Sequence, residues 1–237
     1  MRLAARSRSM DYVISPPPQV SVPVVGLDAR FPVHRVYCVG RNYADHVAEM
    51  GGDPKSEPPV FFSKPASALV TDGEAVRYPQ ATSDLHHEIE LVVALAKGGR
   101  ELTLAEAAAC VYGYGVGIDF TRRDLQSIAK KHGRPWDTAK GFDQSAPLSA
   151  LTPKANFAPS TDTPICLKVN DEQRQSALLG QMIWSVAEII EQLSRLFELK
   201  AGDIIYTGTP AGVAAVVKGD KLCGEIAGLS ALNFDII

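Results

Sequence analysis

Apolar residues recur at Val186, Ile189, Ile190, Leu193 and Phe197, the spacing of one helix face, behind Ser185 and Glu188, which read as a capping box. This is the one long amphipathic helix that the pattern predicts. Elsewhere short apolar runs punctuated by glycine, proline and aspartate predict strands over 36–39, 60–63, 88–96, 111–120, 165–169, 204–207, 221–226 and 232–237. Shorter helices are expected over 43–50, 104–110 and 121–131, the last with Thr121 as N-cap and Asp124 at N3. Strands outnumber helices and do not strictly alternate with them. The expected class is therefore α+β, strand-rich, with a mainly antiparallel or mixed sheet rather than a doubly wound one. Residues 1–34, interrupted by Pro16, Pro17, Pro18, Pro23 and Pro32, read as a proline-rich N-terminal arm able to carry edge strands, and 35–237 as the main domain.

Polar residues that break this pattern carry the candidate chemistry. Glu88 and Glu90 lead into the apolar run 91–95, and in an extended chain they point to the face that Val92 and Ala94 continue. Two like charges at the edge of a buried face need a cation, a proton or open water. On spacing alone a solvated strand end is the stronger reading. Asp119 closes a strand whose Gly113, Gly115 and Gly117 share its face, so another backbone or a ligand approaches closely there, or Asp119 caps the helix that follows. If the three acids converge, an all-oxygen set selects Mg2+, Mn2+ or Ca2+ over zinc and leaves positions for water or substrate oxygens.

Four further sites are open between chemistry and ordinary structure. His46 and Glu49 are helical neighbours by spacing, either a water-activating dyad or an exposed pair. Arg41 and Lys64 are surface charges or anion contacts, and Tyr43 is a substrate-side candidate in the same stretch as Arg41. Lys140 lies between Trp136 and Phe142, where its ammonium either stabilises an oxyanion or snorkels to water. Gly208 and Thr209 fall where a strand runs into a turn whose free amides and hydroxyls can hold a carboxylate, or which is merely tight.

Composition narrows the classes. The 237 residues are 46% hydrophobic with a formal charge of -3, enough material for a large core and no basic excess for nucleic acid. Cys38, Cys110, Cys166 and Cys223 are too scattered for structural zinc or a disulfide framework, which fits reduced thiols in a cytoplasmic protein. Residues 1–9 carry arginines and no acid but no apolar signal core follows, so Met10 is a candidate initiator and a transit-peptide fragment the other reading. No window approaches the roughly 18 apolar residues of a membrane span, and no membrane partner is expected.

Taken in order, the stretches 39–46 (Val-Gly-Arg-Asn-Tyr-Ala-Asp-His), 62–65 (Phe-Ser-Lys-Pro), 86–91 (His-His-Glu-Ile-Glu-Leu), 119–126 (Asp-Phe-Thr-Arg-Arg-Asp-Leu-Gln), 138–143 (Thr-Ala-Lys-Gly-Phe-Asp), 167–170 (Leu-Lys-Val-Asn) and 202–210 (Gly-Asp-Ile-Ile-Tyr-Thr-Gly-Thr-Pro) resemble the fumarylacetoacetate hydrolase family, in particular its short acylpyruvase-like members. The resemblance runs from about 36 to 234. It implies a rolled β-sandwich or pseudobarrel with a few peripheral helices, a homodimer, and Mg2+ or Mn2+ (Ca2+ as a substitute) at Glu88, Glu90 and Asp119. It further implies that His46 and Glu49 sit on a lid over substrate, with Lys140 and Gln126 facing the ligand. Within the family, 119–126 followed by 133–137 looks most like fumarylpyruvate hydrolases of gentisate breakdown. Arg123 either grips the second carboxylate of such a substrate or lies exposed on its helix. The implied reaction is C–C hydrolysis of a 2,4-dioxo acid, fumarylpyruvate to fumarate and pyruvate. Acylpyruvate hydrolysis and oxaloacetate decarboxylation are alternatives on the same site; a noncatalytic small-acid binder is the remote one.

Overall fold

Ile89–Leu95 is buried at every position, which is why it reads in sequence as an unbroken apolar run rather than an alternating one. In the computed structural model, which describes residues 11–43, 55 and 58–237, this strand lies inside a six-stranded sheet. The sheet runs in the order Thr152–Pro153, Val111–Ile118, Ile89–Leu95, Ile204–Tyr206, Val36–Gly40, Val60–Lys64. Neighbours are antiparallel except Ile204–Tyr206 beside Val36–Gly40, so the sheet is mixed. The described strands form five sheets and none closes into a barrel. With helices at Leu104–Cys110, Arg123–Lys131, Asp137–Lys140 and Val186–Leu196, the class is α+β.

Two cores follow from the two faces of that sheet. Leu91, Val93, Leu95, Val116 and Ile118 share an apolar cluster with Ile165, Leu167, Leu222, Ile226 and Phe234 of a four-stranded antiparallel sheet. Ile189, Ile190 and Leu193 of Val186–Leu196 join the same cluster, and both halves of the Ser185–Glu188 capping box are formed. Val92, Ala94, Cys38 and Tyr206 belong to the other core, where Leu148, Leu151 and the antiparallel hairpin Ser21–Val24 with Leu27–Pro32 cover them.

The expected helix over 121–131 starts later, at Arg123, and Thr121 is not its cap. Thr121–Arg122 instead form a short strand beside Leu85–His87, and the Thr121 hydroxyl donates to Glu88 Oε1 at 3.2 Å. Asp124 accepts from Thr82 Oγ1 (2.7 Å) and from the Leu125 N–H (2.8 Å). Tyr43 is not helical: it bridges Met182 in extended pairing. The rest of the helix expected over 43–50 lies outside the described residues.

The expected strand over 88–96 is broken at Glu88, and this break creates the site. The chain leaves a three-stranded sheet at Leu85–His87 and enters the six-stranded one at Ile89. Its partner makes the same passage from Val111–Ile118 to Thr121–Arg122, with Asp119 at the corner. The Asp119 N–H donates to the Glu88 carbonyl at 2.8 Å, so the two acids face each other across the corner. The bare glycine face is filled by protein: Gly113 meets the Thr152 backbone, and Gly117, opposite Glu90, lies under the Tyr206 ring. A Cβ at Gly117 would sit 2.5 Å from both Tyr206 Cε1 and Val92 Cγ2. Gly117→Ala is therefore expected to cost about 1–3 kcal/mol by overpacking, read as a lowered urea midpoint at unchanged slope.

Candidate metal centre

Glu88, Glu90 and Asp119 converge as the corner dictates, with one carboxylate oxygen of each lying within 4.8 Å of the others. All three are buried. At 4.8 Å, with an effective dielectric of about 20, each like-charged pair costs about 3 kcal/mol, so the cluster requires compensation. Cations supply it unevenly. Lys140 Nζ bridges Glu88 Oε2 (2.9 Å) and Asp119 Oδ2 (2.6 Å), and the Arg123 guanidinium pairs with Glu88 Oε1 at 2.5 Å. Lys64 Nζ lies 2.8 Å from Asp119 Oδ1 but directs its hydrogen bonds to the Phe120 and Lys140 carbonyls. Glu90 receives no ammonium or guanidinium among the described residues; the Gly208 N–H donates to its Oε2 at 2.7 Å.

The electrostatics divide accordingly. Burial works to raise the Glu88 carboxyl, but Lys140 and Arg123 outweigh it and hold Glu88 at about 2. Burial pushes Glu90 well above the carboxylate range, and the charges of Asp119 and Glu88 push it further. The Lys140 ammonium is opposed by burial, yet Asp119 and Glu88 raise it above the ordinary lysine value. The donor set fits a hard divalent ion: three buried carboxylates, one carrying no cation and another, Asp119, with an Oδ1 that accepts no directed hydrogen bond from the described residues. Such an ion would be held by Glu88, Glu90 and Asp119.

Several of the other candidates fall around this cluster. Gln126 is buried on Arg123–Lys131 and accepts from Arg123 Nη1 at 2.5 Å, while Arg123 Nε points to His86 Nδ1 at 3.3 Å. Arg123 thus faces the acids rather than solvent. Lys140 is buried with its ammonium 5.0 Å from the Phe62 ring centroid, and Lys64 is buried on the edge strand with all its contacts internal. Gly208 adopts φ +101, a conformation that leaves its N–H aimed at Glu90, and Thr209 Oγ1 accepts from Gln175 Nε2 at 2.9 Å. Tyr43 is buried, and its hydroxyl has no hydrogen-bond partner among the described residues. Arg41 is exposed, with φ 60. His46 and Glu49 lie outside the described residues.

Two residues that no sequence signal singled out hold the site's loops. Asn42 is fully buried and clasps the Thr207 carbonyl (2.7 Å) and the Trp184 N–H (2.7 Å) and carbonyl (3.0 Å). Gln175 reaches in from the Glu172–Leu178 strand. Both are uncharged amides, and although Asn42 falls within the 39–46 stretch, only their buried surroundings mark these roles.

The family model of the fumarylacetoacetate (FAA) hydrolase C-terminal region matches residues 35–237. The chain belongs to this family. A mitochondrial oxaloacetate tautomerase of Bos taurus is 43% identical over 201 residues, spanning 85% of this chain and 90% of the relative. A fumarylpyruvate hydrolase of Ralstonia sp is 41% identical over 184 residues, 78% of this chain and 95% of the relative. Among solved structures, the fumarylpyruvate hydrolase of Pseudomonas aeruginosa in complex with Mn2+ and pyruvate superposes with a TM-score of 0.91 at 47% identity, covering 96% of this chain and 99% of that one. Among the described residues, no helix is long and apolar enough to cross a membrane.

A buried carboxyl raised by its surroundings burdens the fold as pH rises through its folded-state value and is relieved by protonation. Glu90→Gln, which keeps an acceptor for Gly208, is expected to raise the urea midpoint of chelator-treated protein at pH 8. Mn2+ is expected to raise the melting temperature of the wild type and not that of Glu90→Gln.

Proposed function

We propose that the protein is a divalent-metal-dependent hydrolase that cleaves the C–C bond of a 2,4-dioxo acid, fumarylpyruvate, to fumarate and pyruvate. The observation that carries this reading is the buried triad Glu88, Glu90 and Asp119, in a chain 47% identical to a fumarylpyruvate hydrolase whose structure holds Mn2+ and pyruvate. Charge supports a dicarboxylate. Glu88, Glu90 and Asp119 together balance the charges of Lys64, Lys140 and Arg123 although no cation among the described residues pairs with Glu90, so a bound divalent ion leaves an excess of two positive charges that a dianionic oxo acid cancels and an acylpyruvate monoanion does not.

Mg2+ or Mn2+ at the triad supplies Lewis acidity that draws off negative charge at the 2-oxo acid end. The chain's own groups do the rest. His46, oriented by Glu49, takes a proton from the attacking water, whose oxygen bonds to C4. Lys140, held charged between Glu88 and Asp119, offers a full positive charge to the oxyanion that forms there. Collapse of the oxyanion breaks C3–C4, the electron pair leaves with pyruvate as its enolate, and the acyl half departs as fumarate. Arg123, with Gln126 beside it, faces the second carboxylate, and Arg41, Tyr43 and the Gly208–Thr209 turn border the oxo-acid end.

A second reading, oxaloacetate tautomerisation, is favoured by curated relatives at 43% and 42% identity, from Bos taurus and Escherichia coli (strain K12). It needs proton transfer at C3 and no attacking water.

One purified sample assayed on fumarylpyruvate, acetylpyruvate and the keto and enol forms of oxaloacetate separates these readings; fumarylpyruvate is expected to turn over fastest. Chelation is expected to abolish turnover and Mg2+ or Mn2+ to restore it, while Glu90→Ala stays inactive at any metal concentration. Full activity after thorough chelation sinks the proposal. Arg123→Met is expected to raise KM for fumarylpyruvate more than for acetylpyruvate.

A further inference from the structure

The strand Glu172–Leu178 lies at the edge of the four-stranded sheet and most of its residues face solvent, yet Gln175 is 1% exposed. Its side chain leaves its own sheet and enters the corner where Glu88 interrupts the neighbouring ladder. Gln175 Oε1 accepts from the Ile89 N–H (3.0 Å) and from His87 Nδ1 (3.0 Å), the residues on either side of Glu88. Its Nε2 donates to Thr209 Oγ1 (2.9 Å) and to the Pro210 carbonyl (2.9 Å), immediately after the Gly208 N–H that holds Glu90. A primary amide has two acceptor positions and two N–H groups, and all four are used.

The orientation is fixed by its partners. A backbone N–H can only donate and the Pro210 carbonyl can only accept, so the amide oxygen faces Ile89 and the nitrogen faces the turn. His87 Nδ1 then carries its proton toward Gln175.

We propose that Gln175 is a positioning residue for the metal centre: it holds Glu88 and the Gly208–Thr209 turn in one register, so that ion ligation and the seat for the oxo acid are set together. Glu88 lies outside both strands, and its own carbonyl bond to Asp119 leaves the flanking Ile89 N–H free of the usual ladder partner. Gln175 supplies that partner from a different sheet. The same side chain fixes the turn whose first amide satisfies the otherwise uncompensated Glu90. Partners one step removed from metal ligands typically account for about 10–100-fold in metal affinity or activity.

The inference rests on the reading of Glu88, Glu90 and Asp119 as ion ligands, and the test separates the two. Mn2+ is titrated into chelator-stripped protein without substrate, with free Mn2+ read by electron paramagnetic resonance. Wild type, Gln175→Met and the core control Ile189→Ala are compared, with far-UV circular dichroism reporting the fold. Gln175→Met is expected to weaken Mn2+ binding about 10–100-fold, and Ile189→Ala to leave it unchanged despite a lower melting temperature. If Gln175→Met fails to fold, Gln175→Glu decides. It keeps an acceptor for Ile89 and His87 but loses the donors to the turn that holds Glu90, so Mn2+ binding should weaken and KM for the oxo acid should rise together. Wild type that binds no Mn2+ overturns the metal reading itself. Wild-type affinity in a folded Gln175→Met, or an unchanged KM in Gln175→Glu, overturns the positioning role alone.

Discussion

Three carboxylates held within 4.8 Å of one another inside the protein form the constraint to which the surrounding structure answers. Their repulsion and lost hydration together exceed what a marginally stable fold can carry uncompensated. The chain answers with Lys140 between two of them, Arg123 on Glu88 and Lys64 against Asp119. Among the described residues, compensation stops short of Glu90, which has only a backbone amide from Gly208. That residual deficit is what a divalent ion would remove, so a stability liability of the metal-free protein would also be the source of affinity for the ion.

The topology explains why these acids meet at all. Glu88 and Asp119 stand at the point where two paired strands pass together from the six-stranded sheet into a three-stranded one, and neither belongs to a ladder there. Glu90 follows on the same face, opposite Gly117, whose missing side chain leaves room for the Tyr206 ring. Tyr206 is in turn fixed by its hydroxyl, which donates to the Ala146 and Pro147 carbonyls at 3.1 and 3.2 Å. The glycine-rich strand therefore serves the site through packing, by letting bulky groups close over the sheet.

Much of this was legible in the sequence because it rests on local rules. The Ser185–Glu188 capping box, the Leu104–Cys110 helix and the Lys221–Ile226 strand depend on periodicity and end chemistry within a few residues. The acid pair Glu88 and Glu90 was visible as a violation of an apolar run. What stayed hidden depends on tertiary partners. Thr121 reads as a helix cap, but Glu88 competes for its hydroxyl and draws it into a strand. Lys64 reads as a surface charge or an anion contact and Lys140 as an oxyanion stabiliser or a snorkelling lysine, until the fold shows both ammonium groups buried against acids. Gln175, on a polar edge strand, carries no signal at all, since its four partners come from residues 34 to 88 positions away in the chain.

The triad is proposed to hold one divalent ion against which the protein seats an oxo acid. Anomalous diffraction at the manganese edge from crystals grown with Mn2+ and pyruvate tests it most directly. A single strong peak is expected among the Glu88, Glu90 and Asp119 carboxylates, with pyruvate bound beside it toward Lys140. A peak elsewhere, or none, with the Lys140 ammonium still lying between Glu88 and Asp119 and pyruvate absent from the corner, would contradict it.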